Sequence, residues 1–235
     1  MVELIISITS FTFVSLLVVG LLIGIILILF FSLGKTNEKH IGNQIKPIPP
    51  ANERAGKIGE NETKYYLESL IKNDEYLLSN VLIPYGTNKT TEIDHILVTR
   101  KGIFCIETKR WIGHIYGRDN EEDWIQKYDD PMMNDRIHQN PVIQNEKHCR
   151  HVDRVLNEEF DVDNIVIFVD LLEKTNIKSQ YCFSIDEFIS YYHSLNDDEV
   201  SEEDIKYVYE LLKKYVATEE QLLKHKNSLK KLNRN

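Results

Sequence analysis

Three charged side chains suited to hydrolytic chemistry lie close together in the sequence. Asp94, Glu107 and Lys109 fall in two short apolar segments that are separated by a polar turn at 100–102. Carboxylate oxygens are the ligands that Mg²⁺ and Mn²⁺ prefer in proteins. A divalent cation held by such oxygens polarises a phosphoryl oxygen and lowers the pKa of an attacking water. This combination of residue types therefore suits metal-dependent hydrolysis of a phosphodiester.

The two segments are predicted to pair as an antiparallel hairpin. Residues 92–99 and 103–109 are rich in Ile, Val, Leu and Phe, and the turn between them is typical of a hairpin. If the strands close at that turn, Asp94 lies directly across from Glu107, and Lys109 shares their face. Opposed carboxylates repel each other, so we expect a compensating positive charge from Lys109 and a metal ion.

The alternative to a metal site is a cross-strand salt bridge on a solvated sheet face. Both faces of the hairpin are apolar, however, which predicts a sheet covered on both sides. One face carries Ile96, Val98, Ile103 and Cys105, and the other carries Ile93, Leu97, Phe104 and Ile106. Because buried charges are costly unless they pair or bind metal, we favour a present or ancestral metal site.

A helix before the hairpin is predicted to bring a third carboxylate to this site. Within 53–71, an inward stripe recurs at helical spacing and consists of Gly56, Glu60, Thr63, Leu67, Leu70 and Ile71. Taken alone, Glu60 is better explained as an exposed or salt-bridged residue at the edge of the stripe. Together with Asp94 and Glu107, it completes a set of three converging carboxylates.

These segments resemble the nuclease-related (NERD) domain, a branch of the PD-(D/E)xK nuclease fold. The resemblance covers roughly 54–151, and more loosely extends to about 195. It rests on GKIGENETKYYLESL around Glu60, EIDHILVTRKGIFCIETKRWIGHIYG across the hairpin, Trp124, and NPVIQNEKH from Asn140.

The resemblance implies a mixed-sheet α/β/α restriction-endonuclease-like domain and a set of catalytic residues. Asp94 and Glu107 would bind Mg²⁺ or Mn²⁺, with Glu60 as a further metal ligand. Lys109 would orient or deprotonate water, and Gln144 would complete the site.

Other patterns predict the elements around this site. Asn140 followed by Pro141 predicts a helix start, with Gln144 one turn inside a helix that runs to about 158. Gln144 can hydrogen-bond water or phosphate, although an ordinary surface glutamine is an equal alternative without the resemblance. The other predicted elements are a short strand at 81–83, a buried strand at 164–170, a helix opened by a Ser184 and Glu187 capping box, and a long amphipathic helix at 201–232.

Contact with nucleic acid must be local, because the formal net charge of −9 argues against a broad basic surface. Basic residues cluster in sequence around the hairpin, namely Lys89, Arg100, Lys101, Arg110 and Arg118. They could seat a phosphate backbone, although a basic turn is more often only solvated. We expect DNA rather than RNA as the partner.

Histidine, cysteine and tryptophan residues offer alternative chemistries. His148, Cys149 and His151 lie on one predicted helix, but no second ligand pair at zinc-finger spacing follows them. Trp111 and Trp124 could stack on bases, but we favour a role in the core beside nearby glycine turns. The three cysteines are odd in number and lack paired spacing, which favours a reducing compartment.

The N-terminal segment is predicted to cross a membrane. Residues 4–33 contain no charged residue, and about 20 apolar residues span a hydrocarbon core. A cleaved signal peptide is the alternative, but it needs a basic region before a shorter apolar core. Because basic residues follow the segment, we expect a single-pass protein of the cell membrane with its N-terminus outside and its C-terminal domain cytoplasmic.

The predicted organisation has four parts. They are a transmembrane helix in the lipid bilayer at 4–33, a linker at 34–52, a nuclease-related domain at 53–195 and a C-terminal amphipathic helix at 196–235. We expect the C-terminal helix to pack on its own domain, with a homo-oligomeric coiled coil as the alternative.

The leading functional hypothesis is a membrane-anchored, cytosol-facing endonuclease that depends on Mg²⁺ or Mn²⁺. The first alternative keeps the fold as a non-catalytic nucleic-acid-binding or assembly module, which the overall acidity and the anchor favour. The second alternative is a membrane scaffold that acts through the C-terminal helix. The intact set of carboxylates and lysine favours the enzyme.

Overall fold

The structure is a computed structural model that describes residue 25 and residues 50–87, 89–170 and 176–232. The transmembrane helix predicted at 4–33 and nearly all of the linker predicted at 34–52 lie outside the described residues, apart from Ile25, which is helical. Across the described ranges, no helix combines the length and the apolar content that crossing a bilayer requires.

The described elements are helices and strands of an α/β domain. In chain order they are α1 (Ala51–Glu68), β1 (Tyr76–Tyr85), β2 (Lys89–Thr99), β3 (Gly102–Lys109), β4 (His114–Arg118), β5 (Asp123–Lys127), β6 (Arg136–Gln139), α2 (Pro141–Val155), β7 (Val162–Phe168), β8 (Ile177–Lys178), β9 (Cys182–Ser184), α3 (Ile185–Ser194), α4 (Glu202–Leu212), a 3₁₀ turn (Lys213–Tyr215) and α5 (Glu219–Leu232).

A five-stranded mixed sheet with the order β1–β2–β3–β7–β9 forms the centre of the domain. The strands β1, β2 and β3 are antiparallel neighbours, whereas β3, β7 and β9 are parallel. Helices α2 and α4 pack on one face through residues such as Cys149 and Val208. The end of α1 and the helix α3 pack on the other face through residues such as Leu67 and Phe188. The predicted mixed-sheet α/β architecture is confirmed.

The alternation of side chains along β2 breaks at the charged end of the hairpin. The sequence pattern predicts Ile93 on the face of Leu97, but Ile93 packs in the cluster that contains Ile96. The residue pairs between β1 and β2 run up to Ser79 and His95 and resume at Val81 and Ile93, so they omit Asn80 and Asp94. Asn80 has a φ of 56°, a left-handed conformation that asparagine tolerates. This irregularity is the reason that the simple alternation fails, and it lies beside Asp94.

A second sheet, with the order β6–β5–β4–β8, lies where no strands are predicted. Its main inward side chain is Trp124, which is fully buried and stacks on Phe168 of β7 with ring centroids 6.2 Å apart. Gly117 on β4 lies against this indole, and a Cβ on Gly117 would be 2.1 Å from a ring atom. The core role predicted for Trp124 is confirmed, and Trp111 packs partly buried against the same cluster.

The C-terminal segment forms two helices, which corrects the prediction of one helix over 201–232. α4 ends at Leu212, and α5 begins only at Glu219. Between them the chain runs along β1, where Val216 forms a β-bridge with Val81 and Ala217 N–H donates to the Asn80 carbonyl at 2.9 Å. Pairing with the exposed edge of the sheet takes this stretch out of the helical conformation.

A capping box starts the second of these helices. The Gln221 N–H donates to Thr218 Oγ1 at 3.3 Å, and the Thr218 N–H donates to Gln221 Oε1 at 2.8 Å. α5 then packs on its own domain, where Lys230 pairs with Glu53 of α1 at 2.7 Å. Assembly of a homo-oligomer through this segment stays a prediction.

Candidate active site

The hairpin of β2 and β3 has the predicted register. His95 lies across from Ile106, and the pairs continue in step to Thr99 and Gly102 at the turn. One position beyond His95, the regular ladder ends, and the Thr108 N–H donates to Asp94 Oδ2 at 2.8 Å. The register thus brings Asp94 beside Glu107, and a backbone donor holds its carboxylate.

Glu107, Lys109 and Gln144 form a closed set of hydrogen bonds. Glu107 Oε1 accepts from Lys109 Nζ at 2.5 Å and from Gln144 Nε2 at 2.9 Å. Lys109 Nζ also donates to Gln144 Oε1 at 3.1 Å. These three predicted residues therefore lie together, with two contributed by β3 and one by α2.

The N-terminus of α2 fixes the position of Gln144. Asn140 caps the helix, because its Oδ1 accepts from the Val142 N–H at 2.8 Å. The Asn140 amide also donates to the Glu121 carbonyl at 2.7 Å and so ties the helix start to the second sheet. The helix start predicted at this position is confirmed, and it presents Gln144 to the site one turn later.

His148 belongs to the site, although sequence reasoning considered it only for zinc. It is buried one further turn along α2, and its Nδ1 lies 3.4 Å from Glu107 Oε2. Nδ1 has no hydrogen-bond partner among the described residues, so this contact is a close approach of the ring to the carboxylate. The signal in the sequence was the spacing of four between Gln144 and His148, which places both on one helix face.

Glu60 joins the site from α1. Its side chain is 18% exposed and pairs with Lys57 at 3.1 Å. The Glu60 carbonyl accepts from His95 Nε2 at 3.1 Å, and His95 Nδ1 lies 2.9 Å from the Ser79 hydroxyl. Burial lowers the pKa of His95 to about 4, so the neutral ring ties α1 to β2 next to Asp94.

The two central carboxylates have opposite electrostatic environments. Burial, together with the negative charges of Glu107 and Glu60, raises the pKa of Asp94 well above its ordinary value. Burial would also raise the pKa of Glu107, but Lys109 and His148 outweigh it and lower this pKa to about 2. Burial disfavours the charge on Lys109, yet Glu107 raises the pKa of the ammonium, which therefore stays protonated at neutral pH.

Glu60, Asp94, Glu107, Gln144 and His148 line a cavity of about 370 Å³, which we call the acidic pocket. Its walls come from α1, β1, β2, β3, α2 and α5. Glu92 adds a fourth carboxylate and pairs with Lys226 of α5 at 3.5 Å. The lining residues are Glu60, Tyr85, Thr90, Thr91, Glu92, Asp94, Glu107, Gln144, His148, His225, Lys226 and Leu229.

The donor set of the acidic pocket fits a divalent cation. Its carboxylates are hard oxygen donors, and burial together with the negative charges of Glu107 and Glu60 raises the pKa of Asp94. In the part of the chain that the structure describes, no three His, Cys, Asp or Glu side chains already form a metal-binding group. Mg²⁺ commonly binds through one or two carboxylates and keeps several waters, so the pair of Asp94 and Glu107 is sufficient in number.

The turn residues Arg100 and Lys101 do not line this pocket, and their contact with nucleic acid stays a prediction. Six strand residues at ~3.3 Å each separate the turn from Asp94, which corresponds to roughly 20 Å. Arg100 pairs with Glu202 at 2.7 Å, and Lys101 pairs with Asp197 at 3.0 Å. Their charges hold the start of α4 against the hairpin turn.

Arg110 and Arg118, the other two predicted nucleic-acid contacts, follow the hairpin in the sequence and lie near carboxylates. The Arg110 guanidinium donates to Asp170 at 2.8 and 2.5 Å. Arg118 is 60% exposed and lies 3.9 Å from Glu121. Contact of these two residues with nucleic acid stays a prediction.

Comparison with known proteins agrees with this geometry. The family described as "Nuclease-related domain" (NERD) matches residues 55–169, a range that contains all five predicted catalytic residues. The chain carries a nuclease-related domain. An uncharacterized protein of Bacillus anthracis is 27% identical to this chain over 161 residues, which cover 66% of this chain and 73% of that relative. No solved structure matches the chain significantly. The NERD match ends at β7, so α3, α4 and α5 lie beyond it.

Proposed function

We propose that this chain is a metal-dependent endonuclease that hydrolyses nucleic-acid phosphodiesters, with DNA preferred over RNA. The observation that carries the proposal is that the half-buried Asp94 and the buried Glu107 line the acidic pocket of a NERD domain, with the Lys109 ammonium hydrogen-bonded to Glu107. Such a pair is costly to bury unless a cation compensates it. The same arrangement suits the charge that develops on a phosphate during hydrolysis.

Mg²⁺ or Mn²⁺ would be held by Asp94 and Glu107, with Glu60 as a further ligand, and would supply Lewis acidity and a water of lowered pKa. Lys109 would provide a second positive charge next to the reacting phosphate, because its ammonium stays protonated beside Glu107. Gln144 orients the Glu107 carboxylate through its 2.9 Å hydrogen bond. His148 lies at the other oxygen of Glu107 and limits the rotation of that carboxylate.

We also propose that residues 4–33 anchor the NERD domain to the cell membrane with the domain in the cytoplasm. The uncharged segment and the lysines that follow it support this topology. Cys105, Cys149 and Cys182 are buried, and none of them forms a disulfide among the described residues, which suits a reducing compartment.

A second candidate function is a NERD module that binds nucleic acid without turnover. The observation that favours it is the engagement of Glu107 Oε1 by both Lys109 and Gln144. A metal ion must either share that oxygen with two donors or use Glu107 Oε2 alone. This competition would weaken metal binding.

The experiment that tests the function incubates the purified full chain with DNA and RNA in the presence of Mn²⁺, Mg²⁺ or EDTA. We expect cleavage that requires the metal and that is lost in Lys109→Ala. Lys206→Ala is the matched control, because Lys206 is an exposed lysine of α4 outside the acidic pocket. Cleavage that persists in EDTA or in Lys109→Ala would contradict the proposal, and binding without cleavage would favour the second candidate.

A further inference from the structure

A larger cavity adjoins the acidic pocket. It has a volume of about 700 Å³ and lies between α5 and the strands β1 and β2, and we call it the side groove. Thr90 and His225 line both cavities, so the two spaces meet at this pair of residues. His225 is buried, and its Nδ1 lies 2.7 Å from Thr90 Oγ1, which holds α5 against β2 at the junction.

Lysine side chains surround the side groove without carboxylate partners. Lys89, Lys214 and Lys224 line it and are exposed. Among the described residues, none of these three forms an ion pair. Lys226 and Lys230 of α5 differ, because they pair with Glu92 and Glu53. In a chain with a net charge of −9, this cluster is a local attraction for an anion.

The size and lining of the side groove fit a single strand of nucleic acid. Tyr215 lines the groove, and Tyr85, 37% exposed, lines the acidic pocket beyond the junction. A positive groove with aromatic side chains is typical of proteins that bind single strands, because bases stack on the rings. The side groove has a volume of about 700 Å³, which lies within the roughly 300–1,000 Å³ that is usual for small-ligand pockets. A cavity of this size is too small to enclose a nucleic-acid duplex.

We propose that single-stranded nucleic acid lies in the side groove, with its phosphates bound by Lys89, Lys214 and Lys224, and passes the Thr90 and His225 pair into the acidic pocket. This inference rests on the proposed nuclease function and specifies its substrate class as a single-stranded segment or end. Phosphate contacts position a strand without reading its sequence, so the groove confers no sequence preference.

The test measures binding by fluorescence anisotropy with the full chain in EDTA, so that binding is separated from turnover. The probes are a labelled single-stranded oligonucleotide and the same sequence as a blunt duplex. The groove variant is Lys214→Ala with Lys224→Ala. The control variant is Lys178→Ala with Lys206→Ala, which removes the same charge from exposed positions outside the groove.

We expect the groove variant to bind the single strand at least about tenfold more weakly than the control variant. The slope of log affinity against log salt should become shallower by about 1.4, because each lost phosphate contact on a single strand removes about 0.7. Lys214→Arg with Lys224→Arg should restore binding, since the positive charges return. The duplex should bind wild type at least about tenfold more weakly than the single strand does.

Equal binding of the single strand by the groove and control variants would overturn the proposal, as would duplex binding as tight as single-strand binding. The outcome for the proposed nuclease activity is separate. A wild type that shows the expected binding pattern but never cleaves would support the side groove and contradict the nuclease. A wild type that cleaves while the groove variant binds normally would contradict only the side groove.

Discussion

Asp94 and Glu107 lie at opposed positions of the hairpin, but their carboxylates have partners of different charge. Asp94 accepts from the neutral Thr108 N–H at 2.8 Å, whereas Glu107 accepts from the Lys109 ammonium at 2.5 Å. Asp94 is therefore the carboxylate whose ionisation costs the folded state free energy when no metal is bound. Substitutions at the two positions should have different consequences.

Asp94→Asn should leave the stability of the metal-free domain unchanged or increase it, because the variant removes the repulsion with Glu107. In the presence of Mn²⁺ the effect on stability should reverse, so that Asp94→Asn is less stable than wild type. A cation that binds only the folded state stabilises it by about 2.7 kcal/mol at a hundredfold excess over Kd, and the variant should lose this increment. Thermal melts of both proteins in EDTA and in Mn²⁺ measure the difference. Equal Mn²⁺ shifts would mean that Asp94 is not a ligand.

The raised pKa of Asp94 also predicts a pH dependence of stability. Above pH 3.8, the ordinary value, the unfolded chain loses this proton while the folded chain still binds it. The stability contributed by this group is therefore complete below that pH and falls as the pH rises through the raised pKa. In EDTA, Asp94→Asn should gain stability relative to wild type as the pH rises above 3.8. A difference that does not change with pH would contradict the raised pKa.

Glu107→Ala and Lys109→Ala should each lower metal-dependent cleavage by at least ~100-fold, the effect of losing a positioned catalytic group. Binding of the oligonucleotide in EDTA should survive in both variants. Glu203→Ala, at an exposed carboxylate of α4, is the control for Glu107. If both site variants cut as fast as the control, the activity belongs to another site or to a contaminant.

Gly117→Ala should destabilise the second sheet. Its Cβ would lie 2.1 to 2.4 Å from three atoms of the buried Trp124 indole, and overpacking of this kind costs about 1–3 kcal/mol. Gly56→Ala is the matched control, because no atom lies within 4 Å of its Cβ. In the interior of α1, this control should stabilise by up to about 1 kcal/mol. Thermal melts that rank the two variants in the opposite order would refute the packing described for Trp124.

The proposed membrane topology predicts that a reporter fused after Asn235 is active in the cytosol. The prediction follows from the basic residues after residues 4–33 and the absence of basic residues before that segment. The matched control is a second reporter, fused after Asn235 in the same way, that is active only after export across the membrane. An exported signal would contradict both the topology and a role with cytosolic nucleic acid.

Local patterns in the sequence were enough to predict the hairpin and most of the candidate site. The turn at 100–102 set the register that brings Asp94 to Glu107, since pairing on both sides of a short turn leaves little freedom. The caps at Asn140 and Ser184 were also predicted, because capping depends on residues within one helical turn. The T-x-x-Q pattern at Thr218 carried the same kind of signal for the start of α5.

Contacts between distant parts of the chain were decided only by the tertiary structure. The partners of Lys101 lie more than 90 residues away, and no local pattern indicates that Asp197 rather than phosphate neutralises it. The break before α5 depends on the edge of β1, and the side groove exists because His225 meets Thr90 across 135 residues. The sequence by itself determined the hairpin, its register and its charged residues, because those depend on short-range geometry. The tertiary structure decided which charges are buried together and which remain available to a ligand, because burial depends on the packing of elements that are remote in the chain.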